Sequence, residues 1–262
     1  MKTARRLLGE AIVPVGTLLA ALALWEAATH LFKIPRFIMP APSAILGEGW
    51  EWRYRFIHHT WVTLYETLGG FALSMAVGVP LAVLIVYSPL LRGALYPLIV
   101  LAQSVPKIAI APVLLLVLGY GELPKMVVAF LVAFFPVVID TATGLNATPP
   151  ELLDLSRSYR ASAFKTFLKV RLPMALPFIF AGAKVAITLS VIGAVVGEFV
   201  AGELGADRGL GIVVVVAAKQ GELPMLFAAV ALASVLGIAM VGAVNAAAYF
   251  LMYRWHVSER PD

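Results

Sequence analysis

Long apolar stretches recur along the whole chain, and they constrain its fold more than any other feature. They cover residues 11–31, 60–87, 93–118, 125–143, 175–200 and 224–253. About 20 helical residues, rising 1.5 Å each, cross the ~30 Å hydrocarbon core of a bilayer. Because that core offers the backbone no hydrogen-bond partner, a segment that crosses it alone must be a helix. The sequence therefore predicts an all-α integral membrane protein with about six transmembrane helices.

The composition supports this class and argues against others. Hydrophobic residues make up 61% of the 262 residues and charged residues 13%, and the mean hydropathy is +0.92. A soluble core of this length does not need so many apolar residues, so the lipid bilayer is the expected partner. The net charge of +5 comes from basic residues dispersed beside the apolar stretches, so we expect no nucleic-acid partner. Without cysteine or suitably spaced histidines, we expect no metal site.

The connections between the stretches predict the orientation of the chain. Basic residues are more frequent in the alternate connections that include both chain ends, and the positive-inside rule places those in the cytoplasm. We expect residues 1–59 to form a transmembrane helix and an outer aromatic segment, 60–253 the transmembrane core, and 254–262 a cytoplasmic tail. Ala21-Leu22-Ala23 fits a signal-peptidase site, but apolar residues continue beyond it, so we expect a retained helix.

The third apolar stretch contains a polar, proline-marked break. Broken backbone within a membrane is tolerated where it lines protein or a watery cavity, so we expect this break to line a pathway, with Gln103, Ser104, Pro106 and Lys107 in its wall. Lys107 lies about 21 Å into the stretch, counting from Gly93. Two interpretations stay open. Lys107 satisfies a carbonyl that Pro106 leaves without a donor, or it offers a positive charge to an anionic solute.

A charged segment, residues 148–173, separates the fourth and fifth stretches. Thr148-Pro149-Pro150-Glu151 has the form of a capping box, with Pro149 at the first helical position. Ser162 can cap a second short helix. The residues alone are equally consistent with an amphipathic helix pair that lies on the membrane surface.

The charged segment resembles the EAA loop of ABC-importer permeases. The resemblance rests on Glu151-Leu152-Leu153, Tyr159-Arg160-Ala161-Ser162, Phe167 and the run from Val170 to Pro177. The family usually has Gly-Ala where this chain has Arg160-Ala161. Further family features follow in the same order along the chain: Pro106-Lys107-Ile108-Ala109-Ile110-Ala111-Pro112, Phe134-Phe135-Pro136, then Glu198 and Gly209-Leu210-Gly211. Met39-Pro40-Ala41-Pro42-Ser43 resembles the nitrate/sulfonate/taurine branch.

This resemblance implies the permease subunit of an ATP-driven importer with the type I fold, in a bacterial inner membrane. It implies a permease homodimer, two ATPase subunits and a periplasmic solute-binding protein, and a small, anionic solute, a vitamin precursor or an aromatic acid as substrate. The residues expected to couple to the ATPase are Glu151, Asp154, Arg157, Tyr159, Arg160, Ala161 and Ser162. Glu198 joins the candidates for the pathway.

No G-x-x-x-x-G-K phosphate loop occurs in the sequence. We therefore expect ATP and Mg to bind the partner ATPase, and we expect this chain to be no enzyme and to hold no cofactor itself.

Some interpretations remain open at this stage. The alternative function is an ATP-independent secondary carrier or channel, whose hallmark is a pair of broken helices, whereas only one stretch is clearly broken here. Asp140 and Lys184 either pair within the membrane or reach water separately. Residues 212–218 form a short apolar piece within a predicted outer loop, which is a candidate for a re-entrant segment.

Overall fold

The computed structural model describes residues 2–119, 121–203 and 208–252, and the side chains of all of these except residues 2–11 and 203. The expected cytoplasmic tail, 254–262, lies outside the described residues. Within those ranges the chain is helical and contains no β-strand. The prediction of an all-α protein is confirmed.

The spanning helices are long because the apolar runs are long. The bounds of the helices are α1 Lys2–Leu31, α2 Pro42–Glu51, α3 Arg53–Tyr87, α4 Pro89–Gln103, α5 Ala111–Leu118, α6 Glu122–Asn146, α7 Pro150–Ser158, α8 Ala163–Thr166, α9 Leu172–Glu203, α10 Leu210–Gln220 and α11 Leu223–Met252. Of these, α3, α4, α5 and α10 are followed by Ser88, Ser104, Gly119 and Gly221, respectively. A 3-10 turn, Lys107–Ile110, precedes α5, and a π-type turn, Phe167–Arg171, joins α8 to α9.

Five parts of the described chain are long and apolar enough to cross a membrane as continuous helices. They are Ile12–Leu31, Arg53–Tyr87, Glu122–Asn146, Ala163–Gly202 and Leu223–Met252. The third predicted span is instead a bent pair, Pro89–Gln103 and Lys107–Leu118, whose axes differ by 87°. The predicted break is therefore a sharp change of direction. Counting the bent pair as one span gives six spans, in agreement with the sequence.

Helices α6 and α9 form the centre of the bundle, and α3 packs against both. Glycine allows the close approach at their crossings. A Cβ added to Gly70 would lie 2.5 Å from Cβ of Ala129, and one added to Gly193 would lie 2.7 Å from Cα of the same alanine. Small residues at helix contacts let backbones pack closely where lipid supplies no hydrophobic driving force.

Helix α1 lies at the edge of the bundle, with most of its apolar side chains exposed. It is attached to α2 through Glu26. Its Oε2 accepts a hydrogen bond from the Ser43 N–H at 2.9 Å, and its Oε1 accepts one from the Ser43 hydroxyl at 2.7 Å. Trp25 adds an edge-on ring contact to Phe227 of α11, with centroids 5.9 Å apart. Exposed apolar side chains at such a position are suited to lipid.

Helix α10 contains the apolar piece predicted at 212–218. Its 11 residues rise only about 16 Å, too little to cross the hydrocarbon core. Leu210, Ile212 and Val213 are buried, and the helix packs on α9 and α11. The helix therefore belongs to the bundle.

The ion pair between Asp140 and Lys184, which the sequence left open, does not form. Asp140 and Lys184 are both half-buried, and no ion pair joins them among the described side chains. Asp140 packs instead against Gly182 of α9, where an added Cβ would lie 2.8 Å from its Cβ. Of the two interpretations, the structure fits the one in which each group is solvated separately.

Candidate functional site

The charged segment forms an exposed helix pair at one end of the bundle. Six of the seven residues predicted to couple to an ATPase are exposed, and Ala161 is half-buried: Glu151, Asp154, Arg157, Tyr159, Arg160 and Ser162 form the exposed set. Large apolar side chains lie between the charges, with Tyr159 80% and Phe164 68% exposed. A mixed apolar and charged patch of this kind is typical of a surface that binds another protein.

The predicted capping box at the start of this segment is wrong. The N-cap of α7 is Pro149, with no side-chain hydrogen bond, and the helix begins at Pro150. The Thr148 hydroxyl donates instead to the carbonyl oxygen of Leu145 at 3.3 Å. The last carbonyl groups of α6 lack helical donors and compete for this hydroxyl. The second cap is confirmed, because Ser162 Oγ accepts from the Lys165 N–H at 3.3 Å.

Helix α7 ends in a tight turn despite the arginine in place of the usual glycine. Arg160 has a φ of +50°. Its N–H donates to the Arg157 carbonyl at 2.8 Å, and the Ala161 N–H donates to the Ser156 carbonyl at 3.0 Å. This is the Schellman pattern, which normally places glycine at the left-handed position. A residue with a side chain therefore adopts the left-handed conformation here, which is energetically unfavourable for any residue other than glycine.

The charged segment is tied mechanically to the spans. The hydroxyls of Ser156 and Thr166 lie 3.2 Å apart and join α7 to α8, and α8 continues through the π-type turn into α9. Phe167 packs edge-on against Tyr87 at the end of α3, with centroids 6.0 Å apart, and the Arg171 guanidinium lies 5.1 Å from the same ring. These contacts connect the charged segment directly to α3 and α9.

The residues predicted at the break of the third span lie together. Gln103, Ser104 and Pro106 are exposed and Lys107 is half-buried. The Lys107 Nζ donates to the carbonyl oxygens of Gln103 at 2.9 Å and Val105 at 3.4 Å. It also lies 4.3 Å from the ring centroid of Phe135 on α6. The carbonyl that Pro106 leaves without its helical donor, Ala102, accepts from the Val105 N–H at 3.2 Å. Lys107 thus satisfies other carbonyl groups at the break, which is close to the first of the two interpretations.

Glu198, the fifth pathway candidate, has its hydrogen bonds elsewhere. It is fully buried near the end of α9, and it accepts hydrogen bonds from the Thr63 hydroxyl of α3 and the Gly211 N–H of α10. The structure therefore separates the pathway candidates into a group at the break of the third span and one buried carboxyl group, that of Glu198.

A buried cluster of charged residues, Glu66, Lys125 and Glu198, was not predicted. Glu66 and Lys125 form an ion pair and are 0% and 3% exposed. The sequence left Glu66 unremarked inside the second apolar stretch and placed Lys125 at the outer start of the fourth one. An ionisable residue within a membrane span is itself a signal of a polar partner, so the position of Glu66 could have drawn attention to it.

Known proteins match this chain over most of its length. The sequence profile of the family described as "Binding-protein-dependent transport system inner membrane component" matches residues 74–256. A probable ABC transporter permease protein of Haemophilus influenzae is 36% identical over 79% of this chain and 83% of its own. The riboflavin transport system permease protein RibX of Chloroflexus aurantiacus is 32% identical, with 82% and 80% covered. The formylaminopyrimidine transport permease protein ThiX of Halalkalibacterium halodurans is 32% identical, with 90% and 93% covered.

A solved structure shares the fold. A chain of the MetNI methionine ABC transporter, in inward-facing conformations, aligns with a TM-score of 0.60 at 22% identity, over 75% of this chain and 97% of its own. The bundle with its broken span and exposed helix pair is thus the type I importer permease fold. This chain belongs to the family of binding-protein-dependent transport system inner membrane components and is the permease of an ABC importer.

Proposed function

We propose that this permease works as a homodimer that carries two ATPase subunits on its charged segments and receives solute from a periplasmic binding protein. The observation that supports this most is the continuity of the exposed charged segment with α9 through the π-type turn. ATP-driven closure of two ATPases would move both segments together. That motion would shift the spans between inward-facing and outward-facing states.

A second copy accounts for the exposed break in the third span. The polar side chains of Gln103 and Ser104 are exposed at one side of the single chain, and Lys107 beside them is half-buried. Such groups are tolerated at membrane depth only where they face protein or water. We therefore place the break on the pathway between two protomers, with ATP and Mg bound by the ATPases.

The orientation follows from this arrangement. The charged segment faces the cytoplasm, where ATP is available, and so both chain termini are cytoplasmic in a bacterial inner membrane. The excess of basic residues in the same connections supports this placement.

For the solute we propose a small heterocyclic compound related to vitamins. The relatives named for riboflavin and formylaminopyrimidine transport cover at least 80% of both chains. A small anion is the second candidate, because Lys107 brings a positive charge to the break. Lys107→Gln distinguishes the two. Uptake of an anion should fall, whereas uptake of a neutral heterocycle should stay near the wild-type value.

Reconstitution tests the assignment. The permease is placed in proteoliposomes with and without its ATPase and binding protein, and uptake of radiolabelled solute is measured. We expect uptake only when both partners and ATP are present. Uptake by the permease alone would identify an ATP-independent carrier and overturn the proposal.

A further inference from the structure

A basic cavity opens between the end of α1 and the start of α2. It encloses about 510 Å³, and its lining includes the cations Lys33 and Arg36 together with His30 and the hydroxyl-bearing Thr29 and Ser43. No carboxylate is among the described residues that line it. Pockets that bind small molecules typically enclose about 300–1,000 Å³. The basic cavity is therefore large enough for a polar head group and offers it positive charge.

The two cations of the basic cavity have no counterion in the part of the chain that the structure describes. Neither Lys33 nor Arg36 has a side-chain hydrogen bond or an ion pair there. The carboxylate of Glu26, on α1, is already occupied by other donors. It accepts from the N–H and the hydroxyl of Ser43, and Nε2 of His30 lies 2.8 Å from its Oε1. Lys33 and Arg36 are thus available to an external anion.

The backbone at Lys33 has an unfavourable conformation, with a φ of +49°. Its N–H donates to the His30 carbonyl at 3.3 Å, and the Ile34 N–H donates to the Thr29 carbonyl at 3.0 Å. Helix α1 therefore ends in the Schellman pattern, with lysine at the position that favours glycine. Residues held in such sparsely populated conformations cluster at functional sites. The turn does not require a lysine, so the cation is a feature of the cavity.

Exposed apolar side chains flank the two cations. Four of them are between 61% and 79% exposed, namely Leu31, Phe32, Phe37 and Ile38. They lie directly at and after the end of the candidate span Ile12–Leu31. A segment at the end of a span lies at the level of the lipid head groups, where cations meet phosphates and apolar side chains meet acyl chains. This combination favours a lipid over a soluble anion, which has no contact to make with the apolar flank.

We propose that the basic cavity binds the head group of an anionic phospholipid. Lys33 and Arg36 hold the phosphate, and the acyl chains lie along the flanking apolar side chains. Clusters of basic residues beside a span attract anionic lipids, and basic pockets between helices bind their head groups. The bound lipid is then a further connection between α1, at the edge of the bundle, and α2. The proposal goes beyond the import function and holds whatever solute is carried.

Native mass spectrometry of the purified permease measures the binding. The protein in detergent is titrated with phosphatidylglycerol and, separately, with phosphatidylcholine that has the same acyl chains. We expect phosphatidylglycerol to bind about tenfold more tightly, because each cation near the membrane surface contributes about fivefold to its affinity.

Three variants locate the site. Lys33→Asn removes one charge and keeps a residue that tolerates the left-handed conformation, and Arg36→Gln removes the other charge. Each should weaken phosphatidylglycerol binding about fivefold and leave the thermal midpoint without lipid within a few degrees of wild type. Arg55→Gln removes an exposed cation at the start of α3, outside the basic cavity, and is the matched control that should bind like wild type.

Three outcomes would overturn the proposal. Equal weakening by Arg55→Gln would show a general attraction to the basic surface. Binding of inorganic phosphate or of glycerophosphoglycerol, the head group without chains, as tightly as the lipid would identify a site for soluble anions. Unchanged phosphatidylglycerol binding in both cavity variants, with loss of ATP hydrolysis stimulated by the binding protein, would assign the two cations to protein docking.

Discussion

The two charged regions of this permease use the same residue types in opposite ways. The charged segment exposes its ions to solvent, and its pair Arg157–Asp154 has side chains that are 79% and 69% exposed. The buried cluster places Glu66 and Lys125 where 0% and 3% remain exposed. Exposed pairs contribute little to stability, whereas removal of one buried partner is severe. The first region is therefore available for a partner, and the second holds the bundle together.

The largest effect should follow from removing the buried cation. Lys125→Met leaves a carboxylate without its partner inside the bundle, which typically costs about 3–5 kcal/mol. We expect loss of folded permease in detergent, measured by size-exclusion yield and thermal unfolding. Lys165→Met, at an exposed lysine of the charged segment, is the matched control and should change little. Equal losses from the two variants would contradict the comparison.

A change at the tip of the charged segment should abolish transport and leave the fold intact. Ala161→Asp places an unpaired charge where the ATPase would cover the loop, at a cost of several kcal/mol to docking. ATP-dependent uptake and co-purification of the ATPase measure the result, and Ala161→Ser is the uncharged control. Normal uptake with a normally bound ATPase would exclude the charged segment as the coupling surface.

A smaller effect of opposite sign is expected at Arg160. Glycine adopts a positive φ without the cost of about 1 kcal/mol that a side chain incurs, although its greater freedom when unfolded offsets part of the gain. Arg160→Gly should therefore raise the thermal midpoint slightly. Arg157→Gly, inside α7, should lower it, because glycine costs about 1 kcal/mol within a helix. A midpoint that falls equally in both variants would refute the strained turn.

The smallest effect should come from the exposed ion pair. Asp154→Ala, Arg157→Ala and the double variant form a thermodynamic cycle, and the coupling energy should be below about 1 kcal/mol. Thermal unfolding of the four proteins measures it. A coupling energy as large as the loss from Lys125→Met would show that exposure does not separate the two regions.

Several features of the fold could be predicted because they depend on neighbouring residues. Apolar runs long enough for the bilayer predict the spans, since the hydrocarbon core demands helices of a minimum length. The polar run that ends in Pro106 predicts the break, because proline removes a helical hydrogen bond. The cap at Ser162 also depends on a contact three residues away.

Other features were decided by the tertiary structure. Thr148 has the spacing of a capping box, but its hydroxyl donates instead to a carbonyl group of the preceding helix. Arg160 occupies a glycine position because the surrounding hydrogen bonds hold the turn. In each case two local arrangements compete, and the energies that separate them are too small to be read from spacing.

The buried cluster shows the limit most clearly. The sequence alone determined that ionisable groups within the apolar stretches need partners, because an unpaired charge in hydrocarbon is costly. It did not determine which groups meet. Thr63 and Glu198 are 135 positions apart and touch only because α3, α9 and α10 converge. Partner choice over such separations depends on how whole helices pack, so only the tertiary structure could assign Glu66, Lys125 and Glu198 to one site.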